Sequence, residues 1–245
     1  MGRELEELVT AEEMAALARS TQYAHYTPEY LVRAIWRAVA AMGFAGGTVL
    51  EPGCGTGLFL ALMPDAVAAK SAVTAIEMDP STARIARLLY PEAWIRQEDF
   101  TKAKLTETYD LAIGNPPFSD RTVRADDPSG RLGLSLHEYF MARSIGRLKP
   151  GGLAAFVCSR YAMDRIDPKS RAHIAGMADL LGAIRMPEGA MAAASGTDVV
   201  VDLLFFQRRA PGQPAGGAAW DTLAEVLPAT AEEGALQANR YFGWN

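Results

Sequence analysis

The segment DLAIGNPPF at residues 110–118 joins an apolar run, typical of a buried β-strand, to an Asn-Pro-Pro-Phe corner. Proline has no N–H for a sheet ladder and keeps the preceding residue out of the helical region, so two prolines predict a stiff, extended exit from the strand. That exit holds two acceptors, the Asn115 side chain and the Pro116 carbonyl, past the strand end, and Phe118 adds an apolar ring. Two fixed acceptors beside an aromatic plane suit a planar group with an exocyclic NH2. An ordinary loop is the alternative interpretation.

A second strand pattern, TVLE at residues 48–51, runs into the glycine-rich turn EPGCGTG at 51–57 and then into LFL, which begins a helix. Strand, glycine turn and helix place backbone N–H groups and a helix N-terminus around a ligand. Glycines also let the main chain approach that ligand closely and take positive φ. The Glu51-Pro52 pair favours a ligand with an ammonium group over a pyrophosphate, because a carboxylate attracts the first and repels the second.

Two further apolar strands end in acidic signatures. The strand AVTAI at residues 72–76 leads into EMDP, where Asp79 and Pro80 suit the N-cap and first turn of a helix. A third strand, around residues 93–96, leads into QEDF at 97–100. Because the carboxyl ends of parallel strands meet at one edge of a sheet, the strand-end signatures are expected to converge on one ligand site.

In this order, the segments resemble the gamma-type adenine-N6 DNA methyltransferases, which use S-adenosylmethionine (SAM) and carry an Asn/Asp/Ser-Pro-Pro-aromatic tetrapeptide. The segment IRMPEG at 184–189, followed by GTD at 196–198, particularly resembles the modification subunits of type I restriction systems. The resemblance covers about residues 26–208. It implies an α/β, Rossmann-like SAM-dependent methyltransferase fold: a mostly parallel seven-stranded sheet with one antiparallel strand near the C-terminal end and helices on both faces. The last two predicted strands are joined without a helix, so they are also expected to pair antiparallel.

The resemblance implies SAM as the cofactor and assigns residues to it. Thr27 and Pro28, with Tyr26 before them, are candidates to lie near the methionine end of SAM. The alternative is plain capping of the next helix, with Thr27 as N-cap and Pro28 at the first helical position. Glu51 is expected to bind the ammonium group, directly or through water, and Glu77 the ribose hydroxyls. The cofactor-binding candidates are Tyr26, Thr27, Pro28, Glu51, Gly53, Cys54, Gly55, Gly57, Glu77, Met78, Asp99, Phe100 and Asn115.

At the adenine end of the cofactor, the resemblance implies that Asp99 binds the adenine amino group and that Phe100 packs nearby. Met78 is a candidate to pack on the adenine ring, with ordinary core packing as the alternative.

The catalytic candidates are Asn115, Pro116, Pro117 and Phe118. An adenine N6 amino group is a poor nucleophile, because its lone pair is delocalised into the ring. Hydrogen bonds from its two protons to the Asn115 amide oxygen and the Pro116 carbonyl favour a more pyramidal nitrogen with an available lone pair. A base in a duplex must first leave the stack, and Phe118 offers the face on which the flipped base stacks. No metal and no strongly basic side chain are required.

Two other functions stay open. Glutamine methyltransferases of the release-factor type also present Asn-Pro-Pro-aromatic to a planar amide, although Glu51-Pro52 and the Thr-Pro helix start speak against them. A non-catalytic SAM-binding or DNA-docking module of a larger assembly is the third possibility. Gamma-type enzymes usually carry a target-recognition domain after the final strands, so target choice here is expected from a partner subunit, a missing part of the chain, or an arginine-containing loop at residues 119–131. That loop is expected to be a mobile flap that contacts the nucleic-acid backbone, or simply a solvated loop.

Composition limits the partners. The net charge of −5 argues against a protein that grips nucleic acid over its whole surface, so DNA binding is expected to be local. The two cysteines lack the spacing of a metal or disulfide site, and the sequence shows no leader and no apolar run of about 20 residues, which predicts a cytoplasmic protein without membrane contact. The three histidines, at 25, 137 and 173, have no partner at catalytic spacing, which predicts surface or hydrogen-bonded side chains.

The expected domains are a helical extension at residues 1–25, the methyltransferase domain at 26–209, and a linker with a C-terminal tail at 210–245, where the residues from Trp220 could add a helix. Whether this tail docks on the domain or on a partner is left open.

Overall fold

The computed structural model describes residues 27–191, 199–228 and 235–243. The predicted N-terminal extension, Tyr26, His25 and the Gly-Thr-Asp segment at 196–198 therefore lie outside the described residues. In chain order the elements are α1 (Glu29–Ala41), β1 (Thr48–Pro52), α2 (Leu58–Ala61), α3 (Asp65–Ala68), β2 (Ala72–Glu77), α4 (Pro80–Leu89), β3 (Trp94–Gln97), β4 (Tyr109–Gly114), α5 (Leu136–Gly146), β5 (Leu148–Ser159), α6 (Tyr161–Asp164), α7 (Lys169–Ala175), β6 (Ala178–Arg185), β7 (Val201–Arg208), β8 (Leu223–Leu227) and β9 (Leu236–Asn239).

The main sheet has seven strands in the order β3-β2-β1-β4-β5-β7-β6. Strands β1 to β5 pair in parallel, and β7 lies between β5 and β6 and is antiparallel to both. The predicted fold, including its single antiparallel strand, is confirmed. The strand order reverses between β1 and β4, which is where open α/β sheets bind their ligands.

Successive apolar side chains of the central strands point to opposite faces of the sheet, and both faces are buried. On β4, Leu111 and Ile113 face a core that includes α1, α2 and α3, whereas Ala112 faces a core that includes α5, α6 and α7. The same two-residue period runs along β5 and β7. Burial of each large apolar side chain stabilises the fold by about 1.5–3 kcal/mol, so the helical layers hold the ends of β1 and β4 in fixed positions.

The start of α1 differs from its prediction by one residue. Pro28 occupies the N-cap position (φ −58°, ψ 141°), and no side chain caps the helix. Thr27 is therefore not the N-cap, and Pro28 is not the first helical residue. Capping is predicted correctly at α4, where the Asp79 carboxylate accepts a hydrogen bond from the Thr82 N–H at 2.8 Å and Pro80 begins the helix.

The C-terminal segment docks on the domain, and the helix expected after Trp220 is a β-strand. Strand β8 pairs antiparallel with β9. Trp220 is 4% exposed and its ring centroid lies 5.3 Å from that of Phe206. The Asn239 amide, fully buried, donates hydrogen bonds to the carbonyls of Met163 and Trp220. Apolar spacing within five residues does not distinguish helix from strand, and pairing with β9 decides it.

The same segment covers the outer edge of β6. The Ala183 N–H donates a hydrogen bond to the Tyr241 hydroxyl at 3.1 Å, and the Ala218 N–H donates to the Leu180 carbonyl at 3.3 Å. An uncovered edge strand is a template for pairing with another chain. The tail therefore protects this end of the sheet. No helix within the described ranges is long and apolar enough to cross a membrane.

Candidate functional site

The glycine turn after β1 and the diproline corner after β4 lie against each other. A Cβ built on Gly114 would stand 3.6 Å from Glu51 Cγ, and one built on Gly53 would stand 3.9 Å from Pro117 Cδ. Strands β1 and β4 are direct neighbours, with Leu50 opposite Ala112 in register. The two strongest motifs of the sequence therefore meet at the carboxyl edge of the sheet.

The turn is built of glycines in left-handed conformations. Gly57 has φ of 88°, and a Cβ there would lie 2.4 Å from the ring of Tyr90. Four N–H groups of the turn donate hydrogen bonds within the protein: those of Gly53 and Cys54 to Ile76, that of Gly57 to Cys54, and that of Gly55 to Glu77. The expected ring of backbone donors around a ligand is therefore largely used internally. What the turn offers a ligand is close approach of the main chain.

The Glu77 carboxylate fixes the turn from the end of β2. It accepts hydrogen bonds from the Gly55 N–H at 3.0 Å and the Asp79 N–H at 2.8 Å. Burial raises the pKa of Glu77, and the backbone hydrogen bonds act in the opposite direction. Each carboxylate oxygen has two lone-pair sites, so Glu77 retains capacity to accept from a further hydroxyl.

Glu51 is a buried carboxylate at the end of β1. It is 2% exposed, and its Oε2 atom meets no hydrogen-bond donor from the described part of the chain. Burial, and then the neighbouring charge of Glu77, raise the pKa of Glu51. A buried ionised carboxylate is costly unless it is paired, so this oxygen is suited to a cationic group of a ligand.

The side chain of Asn115 is oriented by Thr27. The Asn115 amide nitrogen donates a hydrogen bond to the Thr27 hydroxyl at 3.1 Å, and Thr27 is 6% exposed. Because the amide nitrogen is bound to Thr27, the orientation of the whole amide group, including its oxygen, is fixed. The sequence predicts either a position near the methionine end of SAM or helix capping for Thr27, and a contact across 88 positions leaves no local signal in the sequence.

Phe118 packs against a buried histidine. Its ring centroid lies 5.2 Å from that of His137 in a T-shaped arrangement. His137 is 5% exposed, and its Nε2 atom lacks a hydrogen-bond partner among the described residues, so the predicted surface position is wrong. Burial, followed by the charge of Arg165, lowers the pKa of His137 to about 4, so the ring is neutral at physiological pH. His173, by contrast, lies 3.0 Å from the Ser129 hydroxyl, as predicted for a hydrogen-bonded histidine.

His137 gives folding stability an acid-sensitive component. An unfolded histidine titrates near pH 6.5, well above the folded value of about 4, so the unfolded state binds the proton first as the pH falls. We expect the free energy of unfolding to decrease between about pH 6.5 and pH 4, by about 3 kcal/mol, and to be insensitive to this group above about pH 7.

Chemical denaturation of the wild type and of His137→Phe at about pH 7 and about pH 4.5 measures this component, because all other titrating groups are common to both proteins. Equal acid sensitivity in the two proteins would contradict a buried, neutral His137.

The three residues expected at the adenine end of the cofactor lie in different environments in the structure. Asp99 accepts hydrogen bonds from the Thr101 N–H and hydroxyl, both at 2.8 Å. Phe100 is 2% exposed and packs on Phe140 with centroids 4.6 Å apart, so its ring lies in the core instead of beside a ligand. Met78 is 66% exposed, which excludes the core alternative and leaves its side chain accessible to a ligand.

Cys54, in the middle of the turn, is not a nucleophile. It is 6% exposed, and burial raises the pKa of its thiol, so the reactive thiolate is disfavoured. Its side chain packs with Ala75, Ala86 and Ile95 in a small core cluster. No group of three or more possible metal ligands occurs within the ranges that the structure describes.

The arginine-containing loop at 119–131 is packed, not a free flap. The Val123 N–H donates a hydrogen bond to Leu134 and the Leu136 N–H donates to Arg121, both at 2.8 Å. The Asp127 carboxylate accepts from the Ser129 and Gly130 N–H groups, both at 3.0 Å. These contacts fix the positions of the arginines relative to α5 and to the Asn-Pro-Pro-Phe corner.

Comparison with known proteins bears on this site. A family profile described as "Methyltransferase domain" matches residues 23–194. The Defense against restriction protein B of Escherichia phage P1 is 29% identical over 221 residues, which are 88% of this chain but 9% of that protein. The methyltransferase subunit of a type I restriction-modification system from Streptococcus thermophilus superposes with a TM-score of 0.65 at 15% identity, covering 76% of this chain and 45% of that one.

A modification subunit assigned to a type I restriction enzyme of Vibrio vulnificus gives a TM-score of 0.63 at 20% identity, covering 75% of this chain and 44% of that one. The chain thus spans less than half the length of each of these subunits and less than a tenth of the phage protein.

Proposed function

Because the chain belongs to the methyltransferase domain family, we propose that it methylates the N6 amino group of adenine in DNA. Membership in this family supports methyl transfer with SAM as the cofactor, and the adenine target and the DNA are the further part of the proposal. The observation that carries the proposal is the Asn115 amide, which binds Thr27 and lies between Gly114 and Pro117 in a corner that is placed against the glycine turn.

The residues at the ends of β1 and β2 fit SAM. The buried Oε2 of Glu51 suits the ammonium group of the methionine portion. Glu77 suits the ribose hydroxyls, because its carboxylate is held at the turn with acceptor capacity to spare. When bound, SAM supplies a methyl group on a positively charged sulfur.

The diproline corner prepares the amine. The Asn115 oxygen and the Pro116 carbonyl accept the two N6 protons, which frees the nitrogen lone pair for attack. Positive charge would grow on N6 as the N–C bond forms and the bond between the methyl carbon and the sulfur breaks, and it would disappear when one N6 proton leaves to water. Two carbonyl dipoles that are already oriented stabilise this charge without reorganisation, which is the largest contribution in many enzymes.

Phe118 supplies the surface on which the base is held. Its ring is half-buried, with the neutral His137 packed against it. A flipped adenine stacks on such a ring without any sequence-specific contact. The names of the relatives, a defence protein against restriction and subunits of type I systems, agree with a DNA substrate. Since the chain spans only part of these proteins, we propose that target choice depends on a partner subunit or on further chain.

Thr27→Val tests how Asn115 is oriented. The substitution removes the hydroxyl that accepts the amide hydrogen bond, which is worth about 0.5–1.5 kcal/mol. We expect the rate of methyl transfer at saturating SAM to fall by about 2- to 10-fold, and Thr27→Ser, which keeps the hydroxyl, to stay near the wild-type rate. A full rate in Thr27→Val would show that Asn115 needs no such support.

The substrate class is tested by incubating the full chain with methyl-labelled SAM and three separate substrates: DNA, RNA of the same sequence, and a release factor. We expect label in DNA, recovered as N6-methyladenine after digestion. Label in protein alone would replace this proposal with a glutamine methyltransferase. SAM binding without transfer to any substrate would identify a non-catalytic module.

A further inference from the structure

A cleft lies between the segment that follows β3 and the loop that follows β4. It has a volume of about 870 Å³ and is lined by residues from 99–106 and 121–127 and by two arginines of the α5 region. We propose that this basic cleft binds the sugar-phosphate backbone of the DNA strand that carries the target adenine. The identity of the strand rests on the proposed function, whereas the cleft and its charge are features of the structure alone.

The lining of the basic cleft is positively charged although the whole chain is acidic. Six basic side chains face three acidic ones there, while the chain has a net charge of −5. The basic residues are Lys102, Lys104, Arg121, Arg124, Arg143 and Arg147. A local concentration of positive charge on an acidic protein is what a polyanionic partner requires.

The three acidic residues of the basic cleft are already engaged. Asp99 accepts hydrogen bonds from Thr101, and Asp126 pairs with Arg131 at 2.8 Å. Asp127 accepts a hydrogen bond from the Tyr139 hydroxyl at 2.6 Å and two more from backbone N–H groups. All three keep their charge, but only Asp127 lies within ion-pair distance of a basic side chain of the cleft, Arg143.

Five of the six basic residues lack such compensation. Over the ranges that the structure describes, no carboxylate lies within ion-pair distance of Lys102, Lys104, Arg121, Arg124 or Arg147. All of them are exposed except Arg147, which is half-buried. Their charges come from three separate segments and do not converge on one point. Such an arrangement suits successive phosphates of a strand better than a single phosphate ion.

Arg143 holds the two walls of the basic cleft in place. Its side chain is 9% exposed, its guanidinium donates hydrogen bonds to the carbonyls of Phe100 and Ala103 on one wall, and it lies 3.9 Å from Asp127 on the other. The guanidinium carbon also lies 5.0 Å from the centroid of the Phe100 ring. This accounts for Phe100 in the core: the ring supports the arginine that joins the walls. The backbone of the two walls is therefore already held in place before a strand binds, which lowers the entropic cost of binding.

The position of the basic cleft connects it to the proposed site. Arg121 follows Phe118 by three residues, and its carbonyl accepts a hydrogen bond from Leu136 at the start of α5. Asp99, at the other end, is the residue expected at the adenine of the cofactor. A strand whose phosphates lie along the basic cleft therefore passes beside the ring on which its flipped base stacks.

The test compares two pairs of exposed arginines. The cleft pair is Arg121→Gln with Arg124→Gln, and the control pair is Arg37→Gln with Arg84→Gln, which removes the same charge elsewhere on the surface. The probe is a fluorescent DNA strand of about 20 nucleotides, bound to the full chain over a series of salt concentrations. We expect the cleft pair to weaken binding about tenfold at about 100 mM salt and to reduce the slope of log K against log salt by about 1–2.

We expect the control pair to bind DNA within about twofold of the wild type, and SAM binding to be the same in all three proteins. Equal DNA affinity in the cleft and control pairs would overturn the proposal. If the wild type methylates DNA and the cleft pair does so with unchanged affinity, the basic cleft fails and the proposed reaction stands. If the cleft pair loses affinity while the wild type transfers no methyl group to DNA, the basic cleft stands and the reaction fails.

Discussion

Asn115→Ala is expected to lower the rate of methyl transfer to DNA adenine by about 100- to 1,000-fold, which corresponds to about 2.7–4 kcal/mol of lost transition-state stabilisation. The alanine removes one of two oriented acceptors for the N6 protons, so the nitrogen keeps its lone pair in the ring and its developing charge loses a dipole. Because the Asn115 oxygen acts on the amine, SAM affinity is expected to stay within about tenfold of the wild type. Single-turnover transfer of a labelled methyl group gives the rate, and calorimetry gives SAM binding.

Asn115→Asp provides the matched control. The aspartate retains an acceptor oxygen at the same position but loses the N–H donor that binds Thr27. We expect a rate between those of the wild type and the alanine variant. A rate within about tenfold of the wild type in Asn115→Ala would show that the corner does not activate the amine, whatever the substrate.

Glu51→Gln is expected to weaken SAM binding by about 30- to 150-fold, or roughly 2–3 kcal/mol, because the neutral amide cannot pair with the ammonium group. The same substitution is expected to preserve or increase the free energy of unfolding. The pKa of Glu51 is raised in the folded protein, so keeping the carboxyl ionised above its unfolded pKa of about 4.5 costs folding energy that the neutral glutamine does not. Loss of binding together with a gain in stability distinguishes a ligand contact from a structural role.

The pH dependence gives a second signature of Glu51. SAM affinity of the wild type is expected to fall as the pH decreases through the raised pKa of Glu51, since the protonated carboxyl no longer attracts a cation. Glu51→Gln is expected to lack this fall. Glu107→Gln, an exposed glutamate in the loop before β4, serves as the charge-matched control. Unchanged SAM affinity in Glu51→Gln, or a variant that loses affinity and stability together, would contradict the assigned role.

Most of the fold follows from local patterns. Strand β4 was predicted at 110–114 and spans Tyr109–Gly114, and β3 is displaced by one residue from its prediction at 93–96. Each of these short strands is followed by a distinct signature where the chain leaves the sheet, Gln-Glu-Asp-Phe for β3 and Asn-Pro-Pro-Phe for β4. Because parallel strands share the direction of their ends, the approach of the glycine turn to the diproline corner follows once the strands are assigned.

The errors lie where distant segments meet. Thr27 binds Asn115 instead of capping α1, and His137 is buried against Phe118. Local patterns miss both contacts because the residues that they join are far apart in the chain. Phe100 has the right chain position for a cofactor contact, but its ring is drawn into the core by Phe140 and Arg143. The sequence does not predict the lysines of the basic cleft, because single charges on a loop are typical of any solvated surface. Only the fold places these lysines opposite the arginines. Tertiary packing decides each of these positions.

The contacts of Ala183 with Tyr241 and of Leu180 with Ala218 also limit how copies of the protein can associate. A sheet grows without limit across molecules only if every copy has two free edge strands. Within the described chain the main sheet has one uncovered edge strand, β3. Strand-to-strand association through that edge would stop at a closed, two-fold pair and would not extend into a fibril.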